Sequence, residues 1–163
     1  MTAENVDNYK DSEEFGTEKD TSVYFLRYNQ KNKALANVNI RKAIDMAYDK
    51  DAFVKTILNN GSVPAYYLVP SDFVKGPDGK DFREANGDMN VTNKDEAKKL
   101  WEQGLKEIGE SKVELELLNY DGDSAKKTGE YIKEQLETTL PGLTVSLKQQ
   151  PFKQKLELES KGD

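Results

Sequence analysis

The side chains with the chemistry to bind or cleave something are few, and their spacing argues against most of that chemistry. Asp78, Asp81, Glu84 and Asp88 lie in the acid-rich run DGKDFREANGD and could offer oxygens to a calcium ion. A helix–loop–helix calcium site needs ligands at alternate positions and a bidentate Glu at its end, and this run has neither. Asp121 and Asp123, in NYDGDSA, could serve as paired carboxylates for acid/base work. Turn and cap residues ahead of a helix are the plainer reading of both. Gly76, Gly79 and Gly87 are separated by Pro and Asp rather than set between a strand and a helix, so they make no phosphate loop. The chain has no histidine and no cysteine. It therefore has no imidazole to activate a serine, no thiolate nucleophile and no disulfide. Trp101 falls on a helical stripe, where core packing is the default role. No catalytic apparatus, cofactor site or metal site is visible.

The elements that position these residues follow from apolar spacing. Ile40, Ala43, Ile44 and Ala47 mark a half-buried helix capped by Asn37. A second stripe at Phe53, Val54, Ile57 and Leu58 has Asp49 placed to cap it and Gly61 placed to end it in a left-handed turn. Two helices joined with almost no linker read as a rigid elbow from Asn37 to Pro70. Before it, residues 1–20 form a polar, loosely attached lead-in with one short helical turn at most. The β-branched and aromatic run from Val23 to Tyr28 then reads as a strand buried on both faces.

After Gly61, three of the five prolines fall within residues 62–92. That makes a long irregular loop, held down by Tyr66, Tyr67, Leu68, Phe73 and Phe82. A helix capped at Thr92 or Asn93 follows, with Ala97, Leu100, Trp101, Gly104, Leu105 and Ile108 on its stripe and Gly109 at its end. Val113, Leu115 and Leu117 alternate as a strand, and Ala125, Gly129, Ile132, Leu136 and Leu140 form the next helical face. Leu143, Val145 and Leu147 alternate again. Strand, helix, strand in that order is a βαβ unit with parallel neighbours. A last helix after Pro151 turns Phe152, Leu156 and Leu158 inward, and the chain then stops as though cut before another strand.

At 163 residues the chain is one domain on length, enough to bury roughly 70% of its unfolded surface. A net charge of −6 with scattered basic residues argues against a nucleic-acid partner. No apolar run approaches the ~18 residues of a membrane span. Composition and pattern together give a soluble α/β domain.

The elbow also carries a resemblance. The run NVNIRKAIDMAYDK from Asn37 to Lys50, followed by an apolar helix, GSVPA from Gly61 and a later Val69-Pro70, resembles the signature of the peptide-binding family of ABC-importer solute-binding proteins. Gram-positive oligopeptide-binding and peptide-pheromone-binding lipoproteins are the most similar members. The strand ending in Tyr28-Asn29, the helix DEAKKLWEQG and the strand LTVSLKQQPF are similar to family segments in the same order, so the resemblance covers residues 21–163.

The resemblance implies an α/β fold that is one lobe of a two-lobed, periplasmic-binding-protein-like clamshell, with a mixed sheet flanked by helices. It implies a second, C-terminal lobe at 21–163, truncated at its C-terminal end, and a signal peptide and lipidated cysteine upstream of Met1. The function it implies is capture of extracellular oligopeptides, nutrient or pheromone, for an ABC importer, with the permease subunits and the other lobe as partners, no enzymatic activity and no cofactor. Tyr24 matches the position where an aromatic residue faces the ligand, although a core role for Tyr24 is the competing expectation. Arg41 and Asp49 match the motif as structural residues. A free-standing extracellular protein-interaction domain acting through residues 62–92 is the alternative, as is a relative binding another solute such as nickel or a sugar.

Overall fold

The computed structural model describes residues 3–89 and 91–162. Met1 and Thr2 of the lead-in, Asn90 of the long loop and Asp163 lie outside the described residues. The chain divides into two compact units where the sequence led us to expect one. One comprises the residues up to Arg27 together with Lys50–Val91, and the other comprises Tyr28–Asp49 together with the residues from Thr92 onward. The elbow is therefore shared between the units, its first helix going to one and its second to the other.

In the first unit the lead-in forms a helix, α1 (Ala3–Tyr9), whose Val6 is buried. Its Asp7 pairs with Lys10 at 3.1 Å. Lys19 reaches Asp72 at 3.0 Å, which ties the stretch after α1 to the long loop.

In the second unit, two successive helices begin on asparagine caps. Asn32 Oδ1 accepts from the N–H of Ala34 at the start of α2 (Lys33–Ala36). Asn37 Oδ1 accepts from Asn39 and Ile40 at 2.9 and 3.1 Å to start α3 (Val38–Ala47). Such caps satisfy N–H groups that have no partner inside the helix. Arg41 closes the other end of α2, donating through Nη1 to the carbonyls of Leu35 and Ala36 at 2.9 and 2.8 Å. Its role is structural, as the motif implied.

The elbow's second half, in the first unit, departs from the expected α-helix. It begins as α4 (Lys50–Ala52) and continues as a π-helix over Phe53–Leu58, with Val54 buried. Asn59, not Gly61, takes the left-handed cap at φ 43°, and its N–H donates to Val54 O at 2.9 Å. An asparagine tolerates that region better than most non-glycine residues, so the helix ends two residues early.

The long loop carries one isolated antiparallel bridge, Lys75 to Asp81, and the short helix α5 (Phe82–Asn86). Tyr67 and Phe82 do hold it, edge to face at 5.4 Å, with the Arg83 guanidinium 5.5 Å from the Tyr67 ring. Leu68 and Phe73 do not. They are 70% and 57% exposed.

The core of the second unit is where α3 meets α6 (Lys94–Ile108), and where both meet a βαβ unit built from β1 (Val113–Tyr120), α7 (Asp123–Thr139) and β2 (Leu143–Gln150). The strands are parallel and paired from Val113 with Leu143 to Tyr120 with Gln150. Ile40, Ala43, Ile44 and Ala47 are all buried, as their spacing predicted, and so are Ala97, Trp101 and Leu105 from α6. Trp101 is fully enclosed and its indole N–H donates to Pro141 O at 2.8 Å, which confirms the packing role. Glu137 of α7 accepts from the Val145 N–H at 2.7 Å, while Lys133 donates to the Val145 carbonyl. Those two side chains cover the centre of β2 on its outer edge, which would otherwise present bare main-chain groups.

Gly104 sets the distance between α3 and α6. A Cβ at that position would lie 2.6 Å from Ile40 Cγ1 and 3.2 Å from Ile40 N. Glu107, one turn on, accepts from the carboxamides of Asn37 at 2.7 Å and Asn39 at 3.0 Å and from Gln103 at 2.8 Å. Those three donors hold its carboxyl below the usual carboxylate range.

Two outcomes follow. Gly104→Ala gains helix propensity but forces α6 off Ile40, and overpacking wins: a loss of about 1–2 kcal/mol by urea titration is expected. A group with a depressed folded pKa contributes stability above its unfolded pKa and loses it as pH falls through the folded value. The stability advantage of the wild type over Glu107→Gln should therefore shrink as pH drops from about 5 to about 3, measured by urea midpoints across that range.

Candidate functional site

The run from Val23 to Tyr28 is not a buried strand. Among the described residues it forms no ladder, and Tyr24 and Phe25 are 91% and 66% exposed. Strand propensity from β-branched and aromatic residues says only that a segment suits a pleated, partly covered surface. Whether such a surface exists depends on a partner elsewhere in the chain, and here no described segment pairs with it. The competing expectation that Tyr24 is core falls with the strand, because a ring so exposed packs against little of its own unit. What remains is an exposed ring and phenol.

Tyr28, the last residue of the run, and Asn29 after it lie in the second unit and are held. Tyr28 buries its hydroxyl, which has no hydrogen-bond partner among the described residues, and burial with Asp45 nearby pushes its pKa well above the ordinary tyrosine value. Asn29 donates from Nδ2 to Gly162 O at 2.7 Å, fastening this stretch to the end of the last helix, α8 (Phe152–Lys161).

In the second unit, aromatic side chains gather at the carboxyl ends of β1 and β2. That end of a parallel sheet is where α/β folds commonly take ligands, since the strands stop and loops open a crevice. Tyr120 and Gln150 close the two strands in register. Phe152, just beyond β2, stacks on Tyr120 at 5.6 Å and 14°. Lys155, one turn along α8, sets its ammonium 5.0 Å from the same ring and 2.7 Å from Glu159.

Phe152 was expected to face inward. It is 62% exposed, and Leu156 is exposed as well, because α8 has no buried residue and lies against the ends of the strands by few contacts. The arrangement gives a stacked aromatic pair, open on the Phe152 side, beside a cation already neutralised by Glu159. Its chemistry is adhesion to an apolar or planar group, with no nucleophile or base in place. Sequence reasoning named Phe152 only as a packing residue and passed over Tyr120. The signal available was position: two aromatics bracketing the carboxyl ends of adjacent parallel strands.

Of the carboxylates singled out earlier, Asp78 and Asp81 serve the backbone. Asp81 caps α5 by accepting from Arg83 N at 2.8 Å and also accepts from Asp72 N at 2.9 Å. Asp78 accepts from Lys80 N at 3.2 Å, and Asp88 pairs with Arg83. Asp123 opens the first turn of α7 while Asp121 sits in the preceding bend, and the cap itself is Gly122, which has no side chain to offer. Among the described residues no three carboxylates converge as a metal site.

Comparison with known proteins places this geometry. The chain is 37% identical over 148 residues to the dipeptide-binding protein DppE of Bacillus subtilis, a match covering 90% of this chain and 27% of that protein. Its structure superposes on an oligopeptide ABC transporter substrate-binding domain from Bacillus anthracis with a TM-score of 0.96 at 45% identity, covering 100% of this chain and 32% of the other. OppA of Listeria monocytogenes bound to peptide gives 0.94 at 36% identity, covering 98% and 32%. The chain thus spans about a third or less of the length of these relatives, and its α/β fold is that of the corresponding part of them. Residues 1–163 match throughout the model of the middle part of one family, and the chain belongs to the bacterial extracellular solute-binding proteins of family 5.

Proposed function

We propose that residues 21–163 are one lobe, the second in chain order, of the substrate-binding component of an ABC importer, and that the whole protein captures extracellular oligopeptides between two lobes. The reading is supported above all by the 0.94 superposition, over nearly the whole chain, on a relative solved with peptide bound. Membership in an extracellular solute-binding family supports binding over catalysis and an external location. A lipid anchor on the full-length protein and docking to permease subunits belong to the same proposal.

Capture works by closure over an extended peptide. Main-chain hydrogen bonds give affinity for many sequences, and roomy pockets take the side chains. In this lobe Tyr24 offers its ring and phenol to the ligand. One lobe makes half of each contact and does not exclude water.

A second reading has one observation in its favour. The exposed Leu68 and Phe73 are the apolar residues through which residues 62–92 would dock a protein, as in a free-standing interaction domain.

Calorimetry separates these readings. The isolated chain should show no micromolar affinity for tetra- to octapeptides, whereas the full-length protein should bind them. Micromolar binding by the isolated chain would sink the clamshell account. In the full-length protein Tyr24→Ala should weaken peptide binding by about tenfold or more, some 1.4 kcal/mol. The same change at so exposed a site should move the urea midpoint by no more than about 0.5 kcal/mol in stability. Unchanged affinity would remove Tyr24 from the ligand site, and retained affinity in Leu68→Ala with Phe73→Ala would leave the loop to a protein partner.

A further inference from the structure

The chain contains two Asn-Gly dipeptides, Asn60-Gly61 and Asn86-Gly87, and the structure treats them differently. Asparagine followed by glycine is the pair most open to spontaneous loss of the side-chain amide, because no side chain on the following residue shields its nitrogen. Both asparagines are exposed.

At Asn86 both reacting groups are engaged. Its carboxamide Nδ2 donates to Phe82 O at 2.8 Å, turning the side chain back along α5. The N–H of Gly87, which would be the nucleophile, donates to Arg83 O at 2.8 Å. Attack at Asn86 requires breaking both bonds.

At Asn60 the opposite holds. Oδ1 accepts from the N–H of Ser62 at 3.1 Å, closing a side-chain turn that spans Gly61. That donor sits on the oxygen where negative charge develops when the side-chain carbon is attacked, so it favours the transition state as an oxyanion donor does. Among the described residues the Gly61 N–H is not committed to any acceptor. Nucleophile and electrophile are adjacent, and the carbonyl is already polarised.

We infer that Asn60 is a modification site, converting through a cyclic imide to aspartate and isoaspartate while Asn86 is protected. The Gly61 nitrogen bonds to the Asn60 side-chain carbon, the bond from that carbon to Nδ2 breaks, and ammonia leaves with the proton from Gly61. Water then opens the imide at either carbonyl. Opening at the main-chain carbonyl leaves isoaspartate, which routes the backbone through the side-chain carbons directly after the left-handed cap at Asn59. The product carries a new carboxylate between the π-helix and the long loop.

The test is peptide mapping of the folded protein after incubation in mildly alkaline buffer. Tryptic peptides Thr56–Lys75 and Glu84–Lys94 separate the two sites, and fragment ions separate Asn60 from Asn59. The same incubation in urea measures what local sequence alone dictates. Conversion at Asn60 should exceed that at Asn86 by about tenfold in the folded protein, the factor that corresponds to 1.4 kcal/mol in barrier. The ratio should collapse in urea, and isoaspartate should accompany aspartate. A folded-state ratio no greater than the urea ratio, an unreacted Asn60, or aspartate without isoaspartate would each overturn the proposal.

Discussion

The closeness of α3 to α6 is the constraint on which the second unit depends. Gly104 removes the one side chain that would hold the helices apart, and Ile40 fills the space a Cβ would take. Because the helices approach so closely, the Asn37 side chain can do two things at once. Its oxygen caps α3, and its amide donates to Glu107 on α6. A carboxylate placed near the N-terminus of α3 also complements the positive end of that helix. Cap, ion and close packing support one another there, and moving any of the three displaces the others.

From that contact the rest of the unit follows in order. Once α6 is fixed, Trp101 lies against the turn after α7 and bonds Pro141 O, so the end of α7 and the start of β2 are set by α6. Thr139 adds a buried bond to Ala47 O at 3.3 Å, returning α7 to the end of α3. The parallel pair β1 and β2 then has its register, and its carboxyl ends deliver Tyr120 and Gln150 side by side. The adhesive aromatic pair is thus the far end of a chain of contacts that begins at Gly104. In the first unit a smaller version of the same logic holds the loop: Asp81 caps α5, α5 presents Phe82 to Tyr67, and Arg83 lies against the same ring.

What was legible in the sequence was what depends on neighbours within a few residues. The stripe at Ile40, Ala43, Ile44 and Ala47 dictates a buried face through helical geometry alone, and Asn37, Asn93 and Gly109 act as caps through their own backbone and side-chain preferences. The alternation at Val113, Leu115 and Leu117 read correctly for the same reason. Val23 to Tyr28 was misread because burial of a strand is a property of its partners, and no described segment supplies them. Phe152 was misread for a related cause: apolar spacing marks a face, but says nothing of whether a second layer covers it. The π-helix was invisible because its sequence carries an ordinary apolar stripe, and the shift from α to π hydrogen bonding leaves no residue signature. Tyr24 was singled out by resemblance alone, whereas the stacking of Tyr120 with Phe152 needed the register of two strands.

Magnitudes argue that exposed aromatics such as these make a site only when something closes over them. A tyrosine or phenylalanine covers roughly 150–250 Å² when fully buried, which at about 25 cal/mol per Å² contributes on the order of 4–6 kcal/mol. Contact with one face of a peptide covers only part of that area. Association alone costs an estimated 4–15 kcal/mol in lost translation and rotation, before a flexible peptide is ordered. An open Tyr24 alone therefore comes out near balance or below it. On the proposed reading a second lobe would change the sum without changing these residues: it would cover the remaining faces, supply the other half of the main-chain hydrogen bonds, and remove the water that competes for them. The high exposure of Tyr24 in this chain is for that reason compatible with the peptide contact proposed for it, since the free energy of such a site would reside mostly in closure.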